Sequence, residues 1–167
     1  WLGGLDAIEI LDEASLTLVR DAIRAVPAPS DVIDRALLVA SELGRNHLRH
    51  ARWGHVAVRA VERDGTAGVE IVAADAGPGI DDLDGAFDGP GREAGSLGVG
   101  IGSVRRLSTE LDVDVRRGEG TCFRVRLFDR AVPRHREVGV YGRPIVGESA
   151  SGDHAMFTRE GSVIRAV

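Results

Sequence analysis

Glu42 and Asn46 are the first pair of residues in this sequence whose types and spacing suggest chemistry. Residues four apart on a helix share a face, with about 5–6 Å between their Cβ atoms. A carboxamide oxygen suits a hydrated Mg²⁺ ion, and a neighbouring carboxylate can accept a proton as a general base. Taken alone, the pair is more simply explained as two solvated polar residues on an amphipathic helix.

The surrounding segment predicts the helix that must carry this pair. Ser30 or Asp31 is the expected N-cap, and the helix is expected to run to about Ala51. Small and apolar residues recur at helical spacing and predict a core-facing stripe, formed by Ile33, Leu37, Ala40, Gly44, His47 and Ala51.

A second motif places Asp75 directly after a predicted strand and before Gly77, Gly79 and Ile80. An exposed aspartate there can accept a hydrogen bond from an exocyclic amine such as adenine N6. Glycines allow the backbone to approach a flat ring closely. A type I or II turn after the strand explains the same residues equally well.

Two further segments are weak signals on their own. One opens a predicted helix and offers backbone N–H groups and the positive helix end to phosphates; it consists of Gly98, Val99, Gly100, Ile101 and Gly102. The other, Gly118 to Thr121, predicts a hairpin turn whose threonine can hydrogen-bond a ligand.

The order of predicted elements indicates an α+β fold with a mixed, mostly antiparallel sheet and helices on one face. Asp12 is the expected N-cap of the first helix. Nine of the 22 glycines fall between residues 75 and 102, which predicts a mobile or tightly turned segment there. The predicted strands are Leu5–Leu11, His55–Glu62, Gly68–Ala74, Leu111–Arg117 and Thr121–Phe128; the other helices are Glu13–Val26 and Val99–Thr109.

Composition excludes several classes of function. A net charge of −5 argues against nucleic-acid binding, and no apolar run approaches the length of a membrane span. Cys122 is the single cysteine, so no intrachain disulfide can form and a cytoplasmic location is expected. All 21 basic residues are arginine, which excludes mechanisms that need a P-loop lysine or the strand lysine of protein kinases.

Taken together, in this order and at these distances, the four motifs resemble those of the GHKL-type ATPases. The resemblance covers about residues 5–128, and a first domain of residues 1–130 is expected. It implies a two-layer α/β sandwich that binds Mg²⁺ and ATP under a lid. By this resemblance Asn46 holds Mg²⁺, Glu42 orients or deprotonates the nucleophile, and Asp75 reads adenine. The remaining motif residues would form the nucleotide site.

Within that superfamily, residues 41–46 and 95–110 look most similar to the anti-sigma-factor serine kinases, especially the switch-kinase branch of the stressosome. This likeness implies phosphoryl transfer to a serine of a small STAS-domain partner, and a homodimer is a further expectation. Arg92 and Arg45 are candidates for contacting the transferred phosphoryl group, although each is more simply a surface arginine. The alternative function is a nucleotide-gated module that sequesters a partner without phosphoryl transfer; a catalytically idle ATPase is a third.

Residues 131–167 form a tail of different character. Strands are predicted at Val138–Val146 and across Ala155–Val167, the latter as a hairpin around Glu160 and Gly161. The tail faintly resembles the start of a PPM-type serine phosphatase domain, in which Asp153 would lie beside a two-metal site. An ordinary tail hairpin explains it equally well, and no phosphatase activity is expected from this chain.

Overall fold

The computed structural model describes residues 6–51, 53–88, 100–132, 157–160 and 163–166. The chain divides into two units, residues 1–132 and 133–167. In the first unit the elements are β1 (Ala7–Glu9), α1 (Glu13–Arg24), α2 (Ser30–His50), β2 (Gly54–Arg63), β3 (Thr66–Asp75), α3 (Leu83–Asp88), α4 (Ile101–Leu107), β4 (Glu110–Arg116) and β5 (Gly120–Phe128).

The first unit is built on a five-stranded sheet with the order β1-β2-β3-β5-β4. Every described pairing in it is antiparallel. Alternate residues of the central strands, such as Ile71 of β3 and Val125 of β5, join residues of α1, α2 and α4 in one hydrophobic core. The predicted two-layer α/β sandwich with helices on one face is therefore confirmed.

The N-cap predicted from the sequence is correct for α1 but not for α2. Asp12 caps α1 as predicted, because its Oδ1 accepts from the Ser15 backbone N–H at 2.8 Å and Ser15 Oγ accepts from the Asp12 N–H. The predicted side-chain cap of α2 by Ser30 or Asp31 is wrong: Pro29 occupies the N-cap without a side-chain hydrogen bond, and its carbonyl accepts from the Val32 and Ile33 N–H groups at 3.0 Å.

The predicted core-facing stripe of α2 is shifted. Ala40, Gly44 and His47 are buried, but Ile33, Leu37 and Ala51 are only half-buried. Helix α2 contacts α1, α4 and three strands, so burial spreads over a wide face rather than a narrow stripe. The residues that complete this face are Val32, Ala36, Val39 and Leu43.

The glycine-rich segment after Asp75 contains a helix, α3, that the sequence reasoning missed. Asp82 Oδ1 accepts from the Gly85 backbone N–H at 2.9 Å and so satisfies a donor in its first turn. Gly102 allows α4 to approach α3, since a Cβ there would lie 2.5 Å from the Phe87 carbonyl oxygen. The glycines therefore permit close packing here as well as turns.

In the second unit, the described residues form two antiparallel strands, β6 (Phe157–Glu160) and β7 (Val163–Ala166). This pairing confirms the predicted hairpin. The predicted strand Val138–Val146 lies outside the described residues, and the resemblance of the tail to a phosphatase domain stays a prediction. Across the described part of the chain, the structure contains no helix with the length and hydropathy needed to span a membrane.

The sheet face opposite the helices carries a ladder of charges across four strands. Antiparallel register places Arg59, Glu70, Arg126 and Glu110 side by side on β2, β3, β5 and β4. Arg59 and Arg126 each donate to the Glu70 carboxylate at 2.6 Å, and Arg126 also donates to Glu110 at 3.3 Å. Glu70 is only 1% exposed, so its charge depends on these partners.

We expect Glu70→Gln to lower the free energy of unfolding by about 3–5 kcal/mol, because Arg126 would be left buried with an incomplete partner. Urea denaturation at neutral pH measures this change. The matched control is Asp21→Asn, which removes the exposed ion pair with Arg24 and should leave the urea midpoint nearly unchanged. Equal midpoints for both variants would contradict a stabilising role for the ladder.

The same ladder predicts an acid sensitivity. Burial alone would raise the pKa of Glu70, but hydrogen bonds and charges from Arg59 and Arg126 outweigh it and hold the pKa below the ordinary 4.5. A lowered pKa in the folded state adds stability above the ordinary pKa, and this is lost as pH falls through the folded-state value. The stability difference between the wild type and Glu70→Gln should therefore shrink below about pH 4. Urea denaturation of both proteins at a series of pH values measures this difference. A difference in the free energy of unfolding that stays constant as the pH falls would contradict this origin.

Candidate functional site

Residues from four separate elements line one cavity of about 190 Å³ at an edge of the sandwich. Helix α2 contributes Asn46, the end of β3 contributes Asp75, α4 contributes Ile101 and β5 contributes Thr121. The volume lies below the roughly 300 Å³ of typical small-molecule sites, so the cavity fits a base-sized fragment of a larger ligand. The other lining residues are His50, Pro78, Gly79, Ile80 and Phe123.

Sheet register brings Asp75 and Thr121 together. The two residues are direct partners in the β3–β5 pairing, where β3 ends and β5 begins. Gly120 makes this approach possible: its φ is +143°, and a Cβ there would lie 1.9 Å from the Asp75 carbonyl oxygen. The backbone beside the cavity thus requires a glycine immediately before Thr121.

The loop after Asp75 is held against the β4–β5 turn. The Gly118 backbone N–H donates to the Pro78 carbonyl at 2.7 Å. Gly79 has φ +79°, and a Cβ there would lie 3.0 Å from the Arg116 carbonyl oxygen. Two motifs more than thirty residues apart in sequence therefore form one rigid rim.

The Asp75 carboxylate both stabilises a turn and faces the cavity, so it fits the turn and the ligand-binding interpretations of its motif. Its Oδ1 accepts from the Gly77 backbone N–H at 2.7 Å, as an aspartate in a turn does. Its Oδ2 lies 3.8 Å from Nε2 of His47. Asp75 also lines the cavity, so a ligand with an N–H donor can reach this carboxylate.

His47 lies behind Asp75 with its side chain 3% exposed. Neither ring nitrogen has a hydrogen-bond partner among the residues that the structure describes. Burial lowers the pKa of His47; the Asp75 charge opposes this effect and His55 adds to it. The imidazole is therefore neutral at pH 7.

Glu42 is not the solvated side chain that the simpler explanation of its motif requires. It is 8% exposed, and its Oε1 accepts from Arg45 Nη2 at 2.5 Å, one turn along α2. Arg45 is itself exposed. Glu42 lies one helical turn before Asn46 but does not line the 190 Å³ cavity.

Apart from Glu42, which is buried outside the cavity, the predicted site residues divide into three groups. Six line the cavity: Asn46, Asp75, Gly79, Ile80, Ile101 and Thr121. Gly77 lines an adjoining cavity of about 560 Å³, Gly100 is the N-cap of α4, and Gly102 packs against α3. Arg92, Gly98 and Val99 lie outside the described residues.

Sequence reasoning missed three lining residues, His50, Pro78 and Phe123. The spacing in the sequence could have identified two of them: His50 is four residues after Asn46 on α2, and Phe123 is two residues after Thr121 on β5. Side chains at these spacings lie on the same face as the motif residue. Pro78 lies within the Asp75 motif itself.

A metal at this site would need few protein ligands. Within the described ranges, no cluster of three or more histidine, cysteine, aspartate or glutamate side chains could hold an ion. Mg²⁺ typically keeps several waters and binds substrate phosphates together with one or two protein oxygens. The single carboxamide oxygen of Asn46 at the cavity wall fits that mode.

Comparison with known proteins agrees with the family that the sequence resembles. Residues 11–127 match the family described as histidine kinase-like ATPase domain. Over 91 residues, 53% of this chain and 68% of the relative, the sequence is 35% identical to the serine/threonine-protein kinase RsbT of Bacillus subtilis (strain 168).

Among solved structures, the histidine kinase domain of the blue-light activated histidine kinase EL346 from Erythrobacter litoralis is 27% identical, with a TM-score of 0.42. That match covers 68% of this chain and 59% of the other. Because the family match spans well over half of the 167 residues, this chain belongs to the histidine kinase-like ATPase domain family.

Proposed function

We propose that this chain is a Mg²⁺- and ATP-dependent serine/threonine protein kinase of the anti-sigma-factor switch-kinase type. Its substrate would be a serine on a small STAS-domain protein of a bacterial signalling pathway. The observation that carries the proposal is the meeting of Asn46, Asp75 and Thr121 around one cavity, with Glu42 one helical turn before Asn46. The 35% identity to RsbT supports the choice of kinase class.

The cavity suits an adenine base. Ile80, Ile101 and Phe123 provide apolar walls for a flat ring, while Asp75 and Thr121 provide polar groups at one end. A carboxylate accepts from the adenine 6-amino group but repels the carbonyl oxygen that guanine carries at the same position. Binding should therefore favour ATP over GTP.

In this proposal Asn46 holds Mg²⁺ through its carboxamide oxygen. When bound, the ion would supply positive charge that offsets the negative charge developing during phosphoryl transfer. Glu42 accepts the proton of the attacking serine hydroxyl, or orients that hydroxyl. Its pairing with Arg45 keeps an arginine close to the same carboxylate, and we infer that Arg45 and Arg92 are candidates for contacting the transferred phosphoryl group.

The chain is further proposed to act in the cytoplasm and to form a homodimer. A reduced Cys122 is compatible with that compartment, since it is buried and free. The net charge of −5 gives no basic footprint for nucleic acid, which leaves a protein as the expected macromolecular partner.

One observation favours a second function, a nucleotide-gated module that sequesters its partner without phosphorylating it. Glu42 is engaged with Arg45 and does not line the base-sized cavity. Such a module needs Asn46 and Asp75 for Mg²⁺-ATP but no proton acceptor. Incubation with γ-labelled ATP, Mg²⁺ and a serine-bearing STAS-domain protein separates the two: label on the serine supports the kinase, and ATP-dependent complex formation without label supports the module.

Asn46→Ala should abolish the Mg²⁺ dependence of ATP binding, because Asn46 is the only residue in the sequence with a carboxamide side chain. Isothermal titration with ATP, with and without Mg²⁺, measures this dependence. Asn46→Asp is the matched control, since it keeps an oxygen ligand and should retain most of the effect. An Asn46→Ala variant that still binds ATP more tightly with Mg²⁺ would overturn the assignment.

Glu42→Gln should lower phosphoryl transfer roughly 10²–10⁴-fold while leaving ATP affinity nearly unchanged, because glutamine keeps the shape but cannot take up the proton. Rates come from single-turnover transfer of labelled phosphate. Glu42→Gln in an Arg45→Met background is the control for the lost ion pair: the same fold-loss of transfer there shows that the loss comes from the missing proton acceptor and not from the broken pair with Arg45. Equal transfer rates for wild type and Glu42→Gln would show that Glu42 is not the base.

A further inference from the structure

His47 is a buried polar side chain for which the proposed function has no use. Its two ring nitrogens lie inaccessible to solvent, and neither has a hydrogen-bond partner within the described ranges. Buried polar atoms without a partner are rare in folded proteins, and each one costs about 1–3 kcal/mol. A hydrophobic residue would pack here without that cost, so the imidazole requires an explanation.

The surrounding backbone is shaped to admit this ring. A Cβ on Gly54 would lie 2.5 Å from His47 Nδ1, so β2 must begin with glycine where the imidazole packs against it. Gly54 is also the β2 partner of Asp75 in the β2–β3 pairing. The ring therefore occupies a space between α2 and the strand ends that leads to the Asp75 carboxylate.

The carboxylate determines which ring nitrogen carries the proton. An ionised carboxylate only accepts hydrogen bonds, so the Nε2 that faces Asp75 Oδ2 at 3.8 Å must carry the hydrogen to interact favourably. A displacement of less than about 1 Å brings these atoms to hydrogen-bond distance. Each carboxylate oxygen has two lone pairs, so Oδ2 can accept from His47 and from a ligand together.

We propose that His47 is a positioning residue that orients Asp75 for recognition of the 6-amino group of adenine. The Gly77 N–H holds Oδ1, and His47 Nε2–H, after the displacement of less than about 1 Å, would hold Oδ2, so that the carboxylate would not rotate away from the base. This inference rests on the proposed function, because it assumes that Asp75 reads adenine. It adds that base selectivity depends on a residue that does not line the cavity.

The test compares ATP with purine riboside triphosphate, which lacks only the 6-amino group. For the wild type we expect ATP to bind about tenfold more tightly, the size of one charge-assisted hydrogen bond. His47→Leu removes the donor at similar volume and should reduce this ratio at least about threefold. His47→Gln places an N–H near the position of Nε2 and should restore it.

The outcomes distinguish the inference from the proposed function. An ATP to purine riboside triphosphate affinity ratio near one in the wild type, and the same ratio in Asp75→Asn, would show that Asp75 does not read adenine. This result would overturn the inference together with the role proposed for Asp75, whereas transfer of labelled phosphate tests the kinase activity separately. A tenfold wild-type ratio that persists in His47→Leu would overturn only the role of His47. If His47→Leu weakens the binding of ATP and of purine riboside triphosphate equally, the role of His47 is likewise overturned. A purely structural defect affects both nucleotides alike, whether or not they carry the 6-amino group.

A measurement on the wild-type chain covers the case in which His47→Leu fails to fold. Long-range ¹H–¹⁵N correlation spectra of histidine-labelled protein report the tautomer of each neutral imidazole, and the signal absent from His47→Gln identifies His47. We expect the Nε2–H tautomer, with an Nε2 shift that changes when ATP is added and changes less with purine riboside triphosphate. The Nδ1–H tautomer would overturn the inference.

Discussion

The antiparallel pairing of β3 with β5 is the constraint on which the candidate site depends. It sets Asp75 opposite Thr121 and brings Gly120 so close to the Asp75 carbonyl that no side chain fits between them. A shift of the register by one residue would turn these side chains to the opposite face of the sheet. The position of the polar end of the cavity is therefore a property of the sheet as a whole.

The charge ladder on the other sheet face supports the same register. Arg59, Glu70 and Arg126 can pair only when β2, β3 and β5 are aligned as observed. A slipped strand would leave Glu70 buried without its partners, which is costly. Apolar core side chains can be exchanged for others of similar volume at little cost, so the core alone specifies the strand register less strictly than the paired charges do. We infer that the ladder contributes specificity of alignment as well as stability.

Helix α2 departs from its own pattern of apolar burial close to the candidate site. Glu42 and His47 are buried polar residues on a helix whose other buried positions are apolar or glycine. The rest of the core follows the expected alternation, as Val69, Ile71 and Ala73 of β3 do. Proteins commonly carry such local violations where a ligand must be recognised. Here both violations fall on the turns of α2 nearest Asn46.

The sequence by itself determined the elements and the motif residues, because both depend on local patterns. Helical and strand periodicity predicted α1, α2 and the strands β2 to β5 within a few residues, and Asp12 was recognisable as a cap. Helix α3 was missed because it is short, contains Gly85 and lies in a glycine-rich segment that resembles a loop. The stripe on α2 was displaced because several elements pack around that helix.

Only the tertiary structure decided which of these residues meet. Asn46, Asp75 and Thr121 are far apart in the chain, and their approach depends on strand pairing and on packing of α2 against the sheet. The same holds for the burial of Glu42 and for the isolation of His47 beside Asp75. Burial and hydrogen-bond partners follow from contacts between distant segments, and a local sequence pattern contains no record of those contacts.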